Sequence, residues 1–571
     1  MKFHINHKYI KSDIAPDEIF LDSKNLPEFN TQQFEGRLEK AIPKKSVFLL
    51  GAFFLVCAFI FIYQLGNLQI IKGEAYFKKS ENNTLMKQPI FADRGLIYDR
   101  NDVLLSWNTW DKNNVDKFSA PVRSYTALGG FSLLLGYVSS PAKDSSGNYW
   151  QDSFIGKDGV EKSYNSNLTG KNGVRITETD VKGDIQSENV VTPPVAGENI
   201  KLSIDSRIQK KMYDSIGAMA HDASFSGGAG VLMDIKTGEI LAMTSYPEYN
   251  SSILSLGKDS KTINGYFSDK RKVFLNRPLS GLYAPGSIVK PFLGYGALAE
   301  GVITPFKQIF ANGSISIPNP YFPDKKSIFK DHGSFGYVDM KKAIAISSDV
   351  YFYEIGGGYQ DQKGLGIVNI DKYAKMFGIA DKTGIDIGGE KGGIVPTPEW
   401  KMKTFKGDQW RIGDTYNTAI GQYGFQVTPL SMARAVAGIA NLGTIPTPHI
   451  RLADKTFESK VTTLPIDKDK MTTIWEGMRM AVTEGTATAL NLANVKVAAK
   501  SGTAQVGLGN TNTNSWIIGF FPYDNPKYSF AILMERGPKI ASGNATRVMS
   551  EVVDYVSVYT PEYLKEVKPL P

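Results

Sequence analysis

The sequence predicts an α+β protein in which a C-terminal module with an antiparallel central sheet and helices follows an extended accessory domain and one transmembrane helix. Three observations carry this. Residues 46–63, SVFLLGAFFLVCAFIFIY, hold no charge. Strand-like runs stand at both ends of the region after residue 199, with helical patterns between them. The intervening residues 64–195 are rich in Asn, Asp, Lys and Gly and carry only short apolar strand-like runs such as Phe131 to Val138. At 571 residues, 42% hydrophobic and 11% aromatic, the chain can bury one large core and form two or three domains.

Residues 1–45 form a polar tail. At about 1.5 Å per residue, the run from Ser46 to Tyr63 just crosses a bilayer core as a helix. It is apolar on every face, unlike a helix packed on one side of a soluble core. A cleaved signal peptide would begin nearer residue 1 and end in small residues, whereas Tyr63-Gln64-Leu65 closes this run. Arg37, Lys40, Lys44 and Lys45 precede the span and Lys72, Lys78 and Lys79 follow it. This small bias predicts a cytoplasmic tail and a bulk outside the cell membrane.

The accessory stretch 64–195 ends at Val191-Thr192-Pro193-Pro194, a linker signal, and the module 196–571 begins. Ile200 to Ile204 alternates as a strand, and Asp205 opens a helix that runs to about Ala220. Gly230 to Asp234 and Glu239 to Met243 flank a Lys236-Thr237-Gly238 turn, a hairpin. Val495 to Ala499, Ser515 to Phe521 and Ser529 to Glu535 predict three more strands. There is no internal repeat and no low-complexity tract.

Three short polar motifs carry the chemistry. Tyr283-Ala284-Pro285-Gly286 is a turn, after which Ser287 begins a helix with Val289, Phe292, Leu293, Tyr295 and Leu298, stopped by Gly301. Lys290 lies one turn on, within reach of the serine oxygen. Burial and a second cation, Lys500, would favour its neutral amine, so Lys290 could accept the serine proton. Ser140 with Lys143 and Ser255 with Lys258 share the spacing, but neither starts a strong helical pattern. Ser347-Ser348-Asp349 falls between a helix Met340 to Ile346, capped by Asp339, and another over Val350 to Ile355. Ser347 could relay a proton, and Asp349 could orient Lys290 or accept a substrate amide.

Lys500-Ser501-Gly502-Thr503 ends a β-patterned run whose glycine would let a substrate backbone approach. The amides of Thr503 and Ser287 could form an oxyanion hole. Lys236 and Lys382 match Lys-Thr-Gly more literally, but the first lies in a hairpin turn and the second in a loop of glycines and acids. Together the motifs suit acyl transfer through a serine ester. A histidine triad has no Gly-x-Ser-x-Gly elbow to stand on.

Net charge is +8, which suits an anionic surface or polymer without naming one. No phosphate loop, zinc-finger spacing or arginine-rich arm supports nucleotide or nucleic-acid binding. The single cysteine, Cys57, excludes an intrachain disulfide and a thiolate cluster. A site built on the five histidines needs distant residues to converge, and Asp331-His332 reads as a solvated loop pair.

With these motifs the chain resembles the class B penicillin-binding proteins, serine D,D-transpeptidases of bacterial cell-wall synthesis. The resemblance extends to Arg94 to Asn101, Gly156 to Glu161, the hairpin Lys236 to Met243 and Thr428-Pro429-Leu430. It implies a penicillin-binding/β-lactamase-like transpeptidase domain on an accessory pedestal of the dimerisation type. It also implies that Ser287 attacks the penultimate D-alanine of a peptidoglycan stem peptide, and that β-lactams acylate it. Asp349, where Asn is usual, resembles the elongation-type branch, penicillin-binding protein 2, which works with a SEDS-family glycan polymerase. Some of that branch bind zinc through a cysteine near the middle motif; none stands there, so no metal and no cofactor is expected. Gly421-Gln422-Tyr423-Gly424 departs from the common Gly-Gln-Gly. The stretch before residue 195 does not resemble a glycosyltransferase. Two alternatives are an acyl-enzyme hydrolase or β-lactam sensor, and a non-catalytic scaffold.

Overall fold

An unbroken apolar helix, Lys44–Gly66, begins near the first described residue and extends the expected span by three residues at its C-terminal end and two at its N-terminal end. In this computed structural model, residues 43–77, 85–110, 120–145, 149–179, 185–319, 321–322, 324–452, 460–507, 509, 511–539, 541 and 543–565 are described. Two compact units divide the chain: residues 1–86 with 178–184, and residues 87–177 with 185–571. In the first, the helix continues into a π-turn, Asn67–Ile71, and exposes Phe48, Leu49, Phe53, Phe59 and Phe61. It is the one helix among the described residues long and apolar enough to cross a membrane. The tail up to residue 42, with Lys78 and Lys79, lies outside the described residues.

The second unit is built on a five-stranded antiparallel sheet with the order Ile240–Tyr246, Gly227–Asp234, Tyr528–Pro538, Asn512–Phe521, Ala498–Val506. Strand alternation sends Val231, Met233, Ile518 and Leu533 into one core, and Leu232, Ile517 and Ile532 into another on the opposite face. Each such fully buried aliphatic side chain contributes on the order of 2 kcal/mol. The helices Ser206–Asp222 and Ala545–Tyr559 supply Ile208, Met212, Ile216, Val548 and Val552 to the second core. The first of these helices starts where expected because the Asp205 carboxylate accepts the amides of Arg207 and Ile208. The hairpin turn closes on Asp234, whose Oδ1 accepts the amides of Lys236 (2.8 Å) and Thr237 (3.0 Å). On the first face the helical lobe is centred on Lys290–Ala299, buried along nearly its whole length.

In the accessory part, Ile97–Tyr98, Leu104–Thr109 and Val122–Tyr125 form a sheet to which Ile200–Lys201 adds in parallel. Val191 and Thr192, read as linker, close the strand Ile185–Thr192. Phe131 to Val138 is not a strand: Ser132–Leu135 is one helical turn, with Leu133, Leu134 and Leu135 buried. The physical reason is tertiary. Gly136 at φ +79° ends the turn, and the carboxylate of distant Glu248 accepts the amides of Gly130 and Ser132 at its start. Nearby, the Glu161 carboxylate is clamped between Arg94 Nε (2.6 Å) and Arg123 Nε (2.7 Å), with all three side chains essentially inaccessible. Two stretches that carried the family resemblance thus meet in one buried ionic triad.

Candidate active site

Ser287 sits on a 3-10 turn, Gly286–Val289, rather than in the α-helix expected from its pattern. Pro291 explains this. It has no N–H with which to close an α-helical bond to the Ser287 carbonyl, so the Lys290 amide bonds that carbonyl instead and the α-helix starts at Lys290. The turn is fixed from outside: Trp516 Nε1 donates to the Ala284 carbonyl (3.0 Å) and the Gly286 amide to the Gly421 carbonyl (2.9 Å).

Lys290 is fully buried below the turn. Its Nζ donates to the Ser347 carbonyl (2.7 Å) and Asp349 Oδ1 (2.7 Å), with Ser347 Oγ at 3.4 Å. Ser347 presents that carbonyl because it takes a left-handed conformation, φ +64°, at the end of the helix Met340–Ile346. Asp349 is already the first residue of the next helix, Asp349–Gly357, which Ser348 caps through the Tyr351 amide. Lys500, also fully buried, donates to the Ser501 carbonyl (2.7 Å). Burial first, and then the neighbouring Lys290 cation, push its amine well below the ordinary lysine value, with Asp349 opposing.

Asp331 and His332, read as a solvated pair, support the middle motif. The Asp331 side chain is fully buried and accepts Ser348 Oγ (2.8 Å), the Val350 amide (2.9 Å) and His332 Nδ1 (2.8 Å). Burial works against its charge. The bonds from His332, the Val350 and Asp349 amides and Ser348 outweigh that and hold its carboxyl well below the usual carboxylate range. Donor atoms of Asp331, His332 and Asp349 lie within 4.8 Å of one another. Each is already engaged: Asp349 with Lys290, and the two imidazole nitrogens with Asp331 and the Ile346 carbonyl (3.1 Å).

The third motif lies inside the edge strand Ala498–Val506, not at its end. Gly502 serves a purpose the sequence reading did not give it. A Cβ there would come within 2.8 Å of the Ile288 side chain and 3.1 Å of the Pro285 carbonyl oxygen, so the glycine lets the nucleophile turn dock on the strand. Gly286, at φ +56°, answers it: its Cβ would meet the Thr503 carbonyl oxygen at 2.7 Å. Ser501 Oγ pairs with Thr486 Oγ1, a residue no motif pointed to, and the Thr486 amide bonds the Ala345 carbonyl (3.1 Å) beside the middle motif.

Ser287, Ser347, Asp349, Ser501, Gly502 and Thr503 line one cleft of about 790 Å³. Residues 228–554 match the family described as the penicillin binding protein transpeptidase domain. The chain belongs to that family. A penicillin-binding protein dimerisation domain matches residues 110–202, so the transpeptidase domain and its accessory domain follow in the expected order. Among curated relatives, the peptidoglycan D,D-transpeptidase MrdA of Salmonella typhimurium is 28% identical over 91% of this chain and 96% of its own length. MrdA of Escherichia coli K12 is 27% identical over 87% and 91%. Among solved structures, PBP2 of Pseudomonas aeruginosa in complex with WCK 5153 superposes with a TM-score of 0.68 at 30% identity, covering 84% of this chain and 100% of that one. PBP2 of Helicobacter pylori, solved in complex with MreC, gives 0.68 at 28% identity with the same coverage.

Proposed function

We propose that this transpeptidase cross-links peptidoglycan stem peptides during cell elongation through an ester on Ser287. The observation that supports it is that Ser287 shares a cleft with Ser347 and Asp349, which hold the fully buried Lys290 amine, and with the edge strand that carries the fully buried Lys500. Ser287 Oγ attacks the penultimate D-alanine carbonyl and loses its proton to an amine. The amides of Ser287 and Thr503 stabilise the resulting oxyanion. The C–N bond breaks, the departing D-alanine takes a proton, and an amine from a neighbouring strand attacks the ester and frees the serine. A β-lactam enters by the same first step and stays attached. Asp349 orients Lys290, Ser347 relays the proton, and Ser501, Gly502 and Thr503 hold the donor peptide.

The base assignment changes relative to the sequence reading. Lys290 Nζ commits its hydrogens to Asp349 and Ser347, whereas Lys500 is the amine disposed to be neutral. We therefore assign the resting base to Lys500, with Lys290 as its electrostatic partner. Acylation falls as pH drops through the lowered Lys500 value, because the amine gains the proton that blocks it. Lys500→Arg keeps a charge at every accessible pH. It is expected to slow acylation by about 10²–10⁴-fold and erase the acid limb of the pH–rate profile. Wild-type rates in that variant would return the base role to Lys290.

In the same reading, residues 1–45 are cytoplasmic, 46–63 cross the inner membrane, and the accessory (64–195) and transpeptidase (196–571) domains are periplasmic. A SEDS-family polymerase supplies the glycan strands, and no metal, cofactor or nucleic acid takes part. The test supplies the full-length protein in detergent with a stem-peptide donor and an amine acceptor. Cross-linked peptide is the expected product; release of free acid alone would favour the hydrolase alternative.

A further inference from the structure

Residues 421–424, Gly-Gln-Tyr-Gly, hold three left-handed backbones: Gly421 at φ +75°, Tyr423 at +60° and Gly424 at +80°. Contacts require both glycines. A Cβ on Gly421 would lie 2.2 Å from the Gly286 carbonyl oxygen, next to the nucleophile, and one on Gly424 would lie 2.3 Å from the Trp400 ring. Tyr423 gains nothing from its backbone, since a bulky side chain is strained in this region.

A cage offsets that strain. The phenol ring stacks on Phe405 (centroids 6.3 Å apart, 24° between planes) and meets Trp410 (5.8 Å, 83°) and Trp400 (6.1 Å, 76°) edge-on. Lys401 Nζ sits 5.7 Å from the ring centroid, itself held by Asp414 (2.7 Å) and Asp408 (3.1 Å), and the phenol hydroxyl faces Lys401 and Asp414. The Lys401 side chain is buried, so this anchor does not swing. Tyr423 lines the cleft that holds Ser287.

We propose that Tyr423 is a specificity-determining residue: a fixed aromatic wall that narrows the cleft, admits slender acyl donors and excludes bulky branched ones. The inference rests on the Ser287 acyl-enzyme reading. Exclusion requires rigidity, because a mobile side chain would rotate away from a large ligand; here ring, hydroxyl and backbone are each held. A glycine would relieve the strained φ and open the space.

The test is the ratio of second-order acylation rates for methicillin, with its branched dimethoxyphenyl group, and benzylpenicillin. Tyr423→Gly is expected to raise this ratio about tenfold or more, and Tyr423→Phe to leave it within about twofold of wild type. Phe405→Ala keeps the phenol but removes its stacking partner, and should raise the ratio by a smaller factor. An unchanged ratio in a folded Tyr423→Gly overturns the proposal. If that variant gives no cooperative melt, an unchanged ratio in Phe405→Ala does so. Failure of wild type to be acylated by either penicillin would instead refute the acyl-enzyme reading.

Discussion

Ser287→Ala is expected to abolish covalent labelling by a fluorescent penicillin, a fall of at least about 10⁴-fold in acylation rate. The loss is near total because the motif hydroxyls beside it are already engaged, Ser347 Oγ with Lys290 Nζ and Ser501 Oγ with Thr486 Oγ1. Ser347 is 8% exposed at the left-handed end of its helix, and its Oγ lies 3.4 Å from Lys290 Nζ. Thr503 is tied to the edge strand, whose amides are proposed to bind the oxyanion rather than attack it. The substitution removes one oxygen from a half-buried residue, so the melting temperature should stay close to that of wild type. Undiminished labelling would mean that another side chain carries the acyl group, and the cleft would need a different reading.

Glu161→Ala is expected to destabilise the accessory domain by about 3–5 kcal/mol, the cost of leaving buried cations uncompensated. Glu161 is inaccessible and neutralises Arg94 and Arg123 at once. Arg94 has further partners in Thr169 (2.8 Å), the Glu161 carbonyl (2.9 Å) and Asn165 (3.0 Å), so the guanidinium cannot simply relocate. Burial opposes the charge on Glu161, but Arg123 and Arg94 outweigh it and lower the carboxyl below its ordinary value. The sign for stability follows. The contribution is present above the unfolded carboxyl value and is lost as pH falls through the folded one. Urea unfolding of wild type and variant checks both statements: a midpoint unchanged by the substitution, or one that does not fall with acid in wild type, would show that the triad is energetically idle.

Features set by local pattern were legible in the sequence. The apolar run, the capped starts at Asp205 and Asp339, the hairpin at Lys236 and the helical stripe after Ser287 all follow from periodicity and turn chemistry within a few residues. What escaped was set by residues far apart. Glu248 caps a helical turn more than a hundred positions earlier, Asp331 slips beneath a motif 17 residues on, and Thr486 ties two motifs together. The contact of Gly502 with Ile288 and Pro285 is legible only in the folded turn, which brings residues more than two hundred positions earlier against the strand. The two lysines were found but their charge states were not separable, because that depends on which one meets the Asp349 carboxylate.

The Lys500 amine has a cost outside catalysis. Folding strips it of water and sets it beside another ammonium, so an unfolded chain takes up a proton that the native one refuses. Its burden on the native state is full below the lowered native value and lightens as pH rises toward the ordinary lysine value. Selection for thermal robustness alone would discard this residue for methionine; under the proposed base role, the sturdier protein that results would no longer turn over.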